Sequence, residues 1–128
     1  MSLNLSTLLA VGFGGFFGAI LRVVCVHFIH KHFFTTLPFG ILFVNVVGSF
    51  IMGLLFALFM HVNSSEELKS FFMSGFLGAL TTYSTFAIES FLLFNTSVFL
   101  AFSNIALNLA GSIGFAALGY KLITLFVK

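Results

Sequence analysis

Apolar residues run through this chain in four long blocks, and most charged positions gather between them or at their ends. Leu5 to Ile29 carries no charge before Arg22, and a short loop with His30, Lys31, His32 and the only proline, Pro38, follows it. Phe39 to Met60 has no charge at all. Val62 to Lys69 holds Glu66, Glu67 and Lys69 and is the most polar stretch of the chain. A third block runs from about Ser70 to Phe94, interrupted by Glu89. After an Asn95-Thr96-Ser97 turn, the fourth spans Val98 to about Phe126, uncharged until Lys121. A helix needs roughly 20 apolar residues to cross the hydrocarbon core of a bilayer, so each block predicts one transmembrane helix. The expected fold is an all-α membrane protein of four spans, a single domain over residues 1–128.

Composition agrees with this pattern. Of 128 residues, 60% are hydrophobic and 6% charged, against about 25% charged in an ordinary soluble domain. Four spans with short turns leave no length for a second domain, and a net charge of +2 is too small and scattered to point to nucleic acid. The one cysteine, Cys25, excludes an internal disulfide and a Cys-based metal site. It lies in an apolar run and reads as packing. The first block has no basic region before it and no small-residue cleavage site, so no cleavable signal is expected. Asn-x-Ser triplets at Asn4, Asn63 and Asn95 are too frequent by chance to carry weight. His27, His30 and His32 fall near one span end, with no i, i+4 pair and no carboxylate nearby in sequence, and His61 is likewise at a span end. They read as solvated interfacial groups.

Charge gives little instruction about orientation. With four spans, both termini share a side; Lys69, Lys121 and Lys128 fall on it, and Arg22 and Lys31 on the other. Positive residues normally collect on the cytoplasmic side, and a three-to-two split is a weak bias. Two readings stand: one orientation poorly enforced, or insertion both ways with inverted copies pairing.

Small residues four apart let helices approach closely in lipid. Gly14 and Gly18, beside Gly12, Gly15 and Ala19, form such a step in span one, and Ala106, Ala110 and Gly114 predict a similar small face on span four. Both read as helix contacts; no strand precedes the glycines and no Lys-Ser/Thr follows them, which argues against a phosphate loop.

Polar groups within a bilayer need partners and often mark function. Asn45 and Ser49 are one turn apart in span two; Asn104, Asn108 and Ser112 form one stripe on span four. The stripe either bonds helix to helix or lines a polar path. Span three carries five consecutive hydroxyl residues, Thr81-Thr82-Tyr83-Ser84-Thr85, soon after Gly75 and Gly78. Glycine and threonine are poor helix formers, and a broken helix in a bilayer survives only where protein or water covers the freed backbone. A break across residues 75–82 at a buried interface is therefore expected, and its exposed carbonyls can hold a cation. The competing reading is a continuous helix with its hydroxyls bonded back to their own carbonyls. Arg22 and Glu89 both lie roughly 25–29 Å along parallel spans, so they approach the same far interface and could pair. Mid-membrane then holds no carboxylate and no histidine. A proton-coupled pump usually needs such a group there, and a cation channel usually shows acidic rings. Neutral donors and phenylalanine remain, with 21 Phe in the chain. An aromatic ring edge is electropositive and can contact a small anion without trapping it. Tyr83 and Phe86, three apart, share a face if helix resumes there.

The chain resembles the Fluc family of fluoride channels, also called CrcB. The resemblance covers nearly its whole length: Gly14-Gly15 through Gly18-Ala19 and Arg22, then Pro38-x-Gly40-x-Leu42-x-x-Asn45-x-x-Gly48. Most specific is Gly75-x-x-Gly78-x-x-Thr81-Thr82-Tyr83-Ser84-Thr85-Phe86-x-x-Glu89, and Asn104-x-x-x-Asn108-x-x-Gly111-Ser112 is similar to some members where others carry Tyr or Ser. The resemblance implies an inverted, dual-topology homodimer in the bacterial inner membrane, with two pores along the subunit interface. It implies a structural, non-transported sodium ion on the backbone carbonyls of Gly78 and Thr81. It also implies passive fluoride permeation past Asn45 and two aromatic edges, with the polar residues of span four along the path and Arg22 and Glu89 at its charged approaches. The second edge is Phe86; the first, usually Phe, is here Tyr83. No enzyme activity is expected. Two rivals remain: a four-helix dual-topology multidrug/proton antiporter, which would use a carboxylate in span one where this chain has none, and a non-transporting structural subunit, which leaves the Thr-rich segment unexplained.

Overall fold

The computed structural model describes residues 3–127 and is all-helical, with four helices long and apolar enough to cross a membrane: Leu5–His32, Phe39–His61, Glu66–Leu93 and Val98–Phe126. Helix α1 (Leu5–His32) starts where the Asn4 side chain accepts the Thr7 N–H, and it extends three residues beyond the predicted Ile29. Helix α2 (Phe39–His61) begins directly after Pro38, whose missing N–H costs nothing at a helix start. The third span is compound: α3 (Glu66–Lys69), a π-helical segment (Ser70–Leu77), α4 (Gly78–Leu80) and α5 (Tyr83–Leu93). It starts four residues before the predicted Ser70, because the Ser65 hydroxyl accepts the Leu68 N–H and caps a turn that the sequence pattern assigns to a loop. Helix α6 (Val98–Phe126) has the predicted bounds, with Ser97 as its cap. Lys128 lies outside the described residues.

Glycines set the packing. A Cβ on Gly14 would run into the Phe71 carbonyl and one on Gly18 into that of Phe76, so α1 lies backbone-to-backbone on the π-helical segment. That contact is the one the Gly14–Gly18 step predicts. Span four departs from expectation. Ala106 and Ala110 are exposed, and nothing lies within 4 Å of a Cβ built on Gly114. The close approach to α2 occurs lower, where Gly53 faces the Ala116 carbonyl and Gly119 faces that of Phe50. Two small residues on opposing helices settle that contact, and a stripe on one helix is not sufficient to locate it. One cluster of buried apolar residues is Val44, Leu77 and Leu80, with Cys25, Val26, Ile51, Met52, Leu55 and Phe76 packed around it.

The N-terminal ends of the first and third spans meet at one side, where the Ser6 hydroxyl donates to Glu67 at 2.9 Å. Spans one and three therefore run in parallel.

Candidate functional site

The site forms where α2 and α6 meet the third span near its middle. Helix continues through Gly75 to Leu80, so the backbone departs from helix over fewer residues than the expected 75–82: Thr81 and Thr82 are extended, at φ −80°, ψ 155° and φ −149°, ψ 114°. Helix resumes at Tyr83 because the Thr82 hydroxyl accepts the Thr85 N–H and bonds the Thr85 hydroxyl at 3.0 Å. The Thr81 hydroxyl donates to the Leu77 carbonyl, as does its N–H.

Asn45 occupies the gap this leaves. Its Oδ1 accepts the Thr82 N–H at 2.8 Å, and its Nδ2 donates to the Thr82 carbonyl at 3.2 Å and to Asn108 Oδ1 at 3.0 Å. In a continuous helix the Thr82 N–H would bond the carbonyl four residues back, that of Gly78. Asn45 takes that donor instead. The stripe on α6 extends the network: Asn108 Nδ2 donates to Asn104 Oδ1 and to its carbonyl, each at 3.1 Å. Asn104 Nδ2 donates to the Ser90 hydroxyl at 2.9 Å, and Ser90 donates to the Phe86 carbonyl at 2.8 Å. Asn45, Thr82, Ser90, Asn104 and Asn108 are all at most 8% exposed. In so dry a place an unmade hydrogen bond costs about 1–3 kcal/mol.

The other predicted residues sit around this core. Tyr83 and Phe86 share a face of α5, their ring centroids 5.4 Å apart with planes at 68°. Phe86 is buried, whereas Tyr83 is 75% exposed. Ser112 is half-buried and makes none of the bonds of the relay. Gly78 is exposed, and a Cβ there would meet only the Met73 carbonyl at 3.6 Å. Glu89 is half-buried with its Oε2 shielded from solvent and without a hydrogen-bond partner, so Arg22 does not hold that oxygen. Among the described residues, no group of three or more His, Cys, Asp or Glu could hold a metal ion; a cation here would have to use backbone oxygens. Sequence reasoning passed over Ser90 and treated Thr82 only as part of a motif. Their signal is weak, since a lone helical serine usually bonds its own i−4 carbonyl, as Ser90 does.

Four apolar spans, a dry carboxamide cluster and a non-helical pair in mid-span define a small multi-pass integral membrane protein with a polar site inside the bilayer. The family model described as CrcB-like protein, Camphor Resistance (CrcB), matches residues 9–120. A protein of Sulfurimonas denitrificans named fluoride-specific ion channel FluC is 52% identical over 124 residues, covering 95% of this chain and 96% of that protein. One of the same name from Campylobacter jejuni serotype O:23/36 is 50% identical over 117 residues, covering 91% and 96%. A third, from Nautilia profundicola, is 38% identical over 128 residues, covering 98% and 100%. The chain belongs to the CrcB family. These relatives are named as ion channels, not as enzymes.

Proposed function

We propose that this chain forms a fluoride-selective channel that lets cytoplasmic fluoride leave down its electrochemical gradient, working as an inverted homodimer in the bacterial inner membrane. The observation that carries the reading is the mid-span site: neutral amide and hydroxyl donors and an aromatic pair, with no fixed charge, in a chain similar to proteins named fluoride-specific ion channels. Fluoride is strongly hydrated, so several weak donors must replace its water together, and none should hold it tightly enough to stop conduction. Asn45 is the proposed amide donor. Both of its N–H groups are bonded within the chain, so an arriving anion exchanges with one of these bonds and does not meet an idle donor. Phe86 and Tyr83 supply ring edges; Asn104, Asn108 and Ser112 supply the polar side of the path, and Arg22 and Glu89 its charged approaches.

The reading of a second copy rests on what the lone chain leaves uncovered. Ser74, Gly78, Tyr83 and Ser84 are exposed along the third span, at a depth where lipid offers polar groups no partner. A second copy covering that face would satisfy them, and inverted insertion fits the weak charge bias. The Gly78 and Thr81 carbonyls suit a sodium ion: Gly78 has lost its helical donor to Asn45, and the extended Thr81 interrupts the ladder. One chain offers two such oxygens, fewer than a cation needs, so the ion would join two copies and neutralise their facing dipoles. Purified protein in liposomes tests the whole reading. Fluoride efflux far faster than chloride efflux, without drug–proton exchange, is expected; drug–proton exchange would favour the antiporter, and no flux of any kind the structural subunit.

A further inference from the structure

We propose that Asn108, Asn104 and Ser90 are positioning residues that lock the Asn45 carboxamide in one orientation, and that through it they hold the Thr82 N–H away from the Gly78 carbonyl. The hydrogen bonds carry the structural claim by themselves; its consequence for conduction rests on the fluoride-channel reading.

The direction of the relay is dictated at both ends. A backbone N–H can only donate, so the Thr82 N–H fixes Asn45 Oδ1 toward itself and turns Asn45 Nδ2 toward Asn108. Asn108 must then present Oδ1 to Asn45, which points its Nδ2 at Asn104. Asn104 consequently presents Oδ1 to Asn108 and its Nδ2 to Ser90. The Ser90 hydroxyl, having accepted, spends its one proton on the Phe86 carbonyl, a group that can only accept. Every donor points the same way, from Asn45 to Phe86. Turning Asn108 over would set two N–H₂ groups against each other at one end and two oxygens at the other, and turning Asn45 over would set its N–H₂ against the Thr82 N–H and its oxygen against Asn108 Oδ1. Because these side chains are at most 8% exposed, water cannot repair such an error. Asn45 is thus held by partners 45 to 63 residues away in sequence, counted from Ser90 and Asn108. The relay also meets the aromatic pair's helix twice: Thr82 caps α5 and Ser90 is bonded to Phe86 inside it. Asn108 is therefore the joint between the extended pair and the ring that follows.

Hydrogen–deuterium exchange at the Thr82 amide, followed by NMR of the full chain in lipid nanodiscs, tests this without relying on conduction. In the parent, the Thr82 N–H should exchange as slowly as the flanking helical amides although it lies outside helix; exchange like a free amide would overturn the proposal. Asn108→Leu keeps the bulk and removes the acceptor for Asn45, and should speed Thr82 exchange by about tenfold or more. Gly12→Ala, outside the relay and with nothing within 4 Å of the added Cβ, should stay within about threefold of the parent. Equal exchange in the parent and Asn108→Leu would contradict the lock. Fluoride flux in vesicles of the same proteins supplies the second readout: at least about tenfold slower for Asn108→Leu, and near the parent rate for Gly12→Ala. Faster Thr82 exchange with undiminished flux would overturn the link to the path. A parent that moves no fluoride would remove the channel reading, and the exchange data would still judge the relay.

Discussion

At the scale of single residues, Phe86 and Tyr83 stand in unequal surroundings. Phe86 is buried beneath the relay, its own carbonyl bonded by Ser90, while Tyr83 stands 75% exposed against it. Phe86→Ile preserves bulk and apolarity but deletes the electropositive ring edge. The expected result is a folded dimer with fluoride flux at least about tenfold lower, equivalent to roughly 1.4 kcal/mol on the limiting barrier; size-exclusion profile and vesicle efflux measure the two halves. Parent-like flux from a normally assembled Phe86→Ile protein would make Phe86 packing alone. Tyr83→Phe keeps the ring and should keep the flux. The residues of the candidate site are unevenly legible in the sequence. Asn45, Asn104 and Asn108 stand out because an amide in an apolar span must find a partner. Their partners do not stand out: Asn45 reaches Thr82 across 37 residues and Asn108 across 63, and no local pattern encodes such pairings.

At the scale of elements, the spans follow from length and hydropathy, and the contacts follow from glycine. Gly18 faces the Phe76 carbonyl so closely that any side chain must push α1 from the π-helical segment. Gly18→Val should therefore destabilise the protein, by about 1–3 kcal/mol if the helices can adjust, seen as a lower melting temperature in detergent. Gly12→Ala meets nothing within 4 Å and should be neutral or gain up to about 1 kcal/mol from helix propensity. The small face of Ala106, Ala110 and Gly114 meets no other helix among the described residues of the same chain, because periodicity names a face without naming what it meets; within the chain the partner glycine on α2, Gly53, decides that. The third span shows the converse. Its glycines and threonines signal poor helix, but they do not say that the π-helical segment absorbs the glycines and that only Thr81 and Thr82 leave helix. That outcome depends on Asn45 being present to accept the Thr82 N–H.

At the scale of the whole molecule, a weak charge bias, an uncovered polar face and a two-carbonyl cradle together motivate the proposed inverted pair. A tag on the C-terminus should be accessible from both faces of intact membranes, and single-sided labelling would remove the inverted dimer. Adding two or three lysines to one side should bias insertion and lower activity. Replacing external sodium with a large organic cation should slow or abolish fluoride movement, with no sodium flux accompanying it; sodium carried with each fluoride would contradict a structural ion. The central claim, passive and fluoride-selective conduction, is tested most directly by the reversal potential of the purified protein in a planar bilayer. With a tenfold fluoride gradient and equal chloride and pH on both sides, the current should reverse about 59 mV from zero, the value for a single monovalent ion. A reversal potential that stays at zero, or that follows an imposed proton or chloride gradient, would contradict the account.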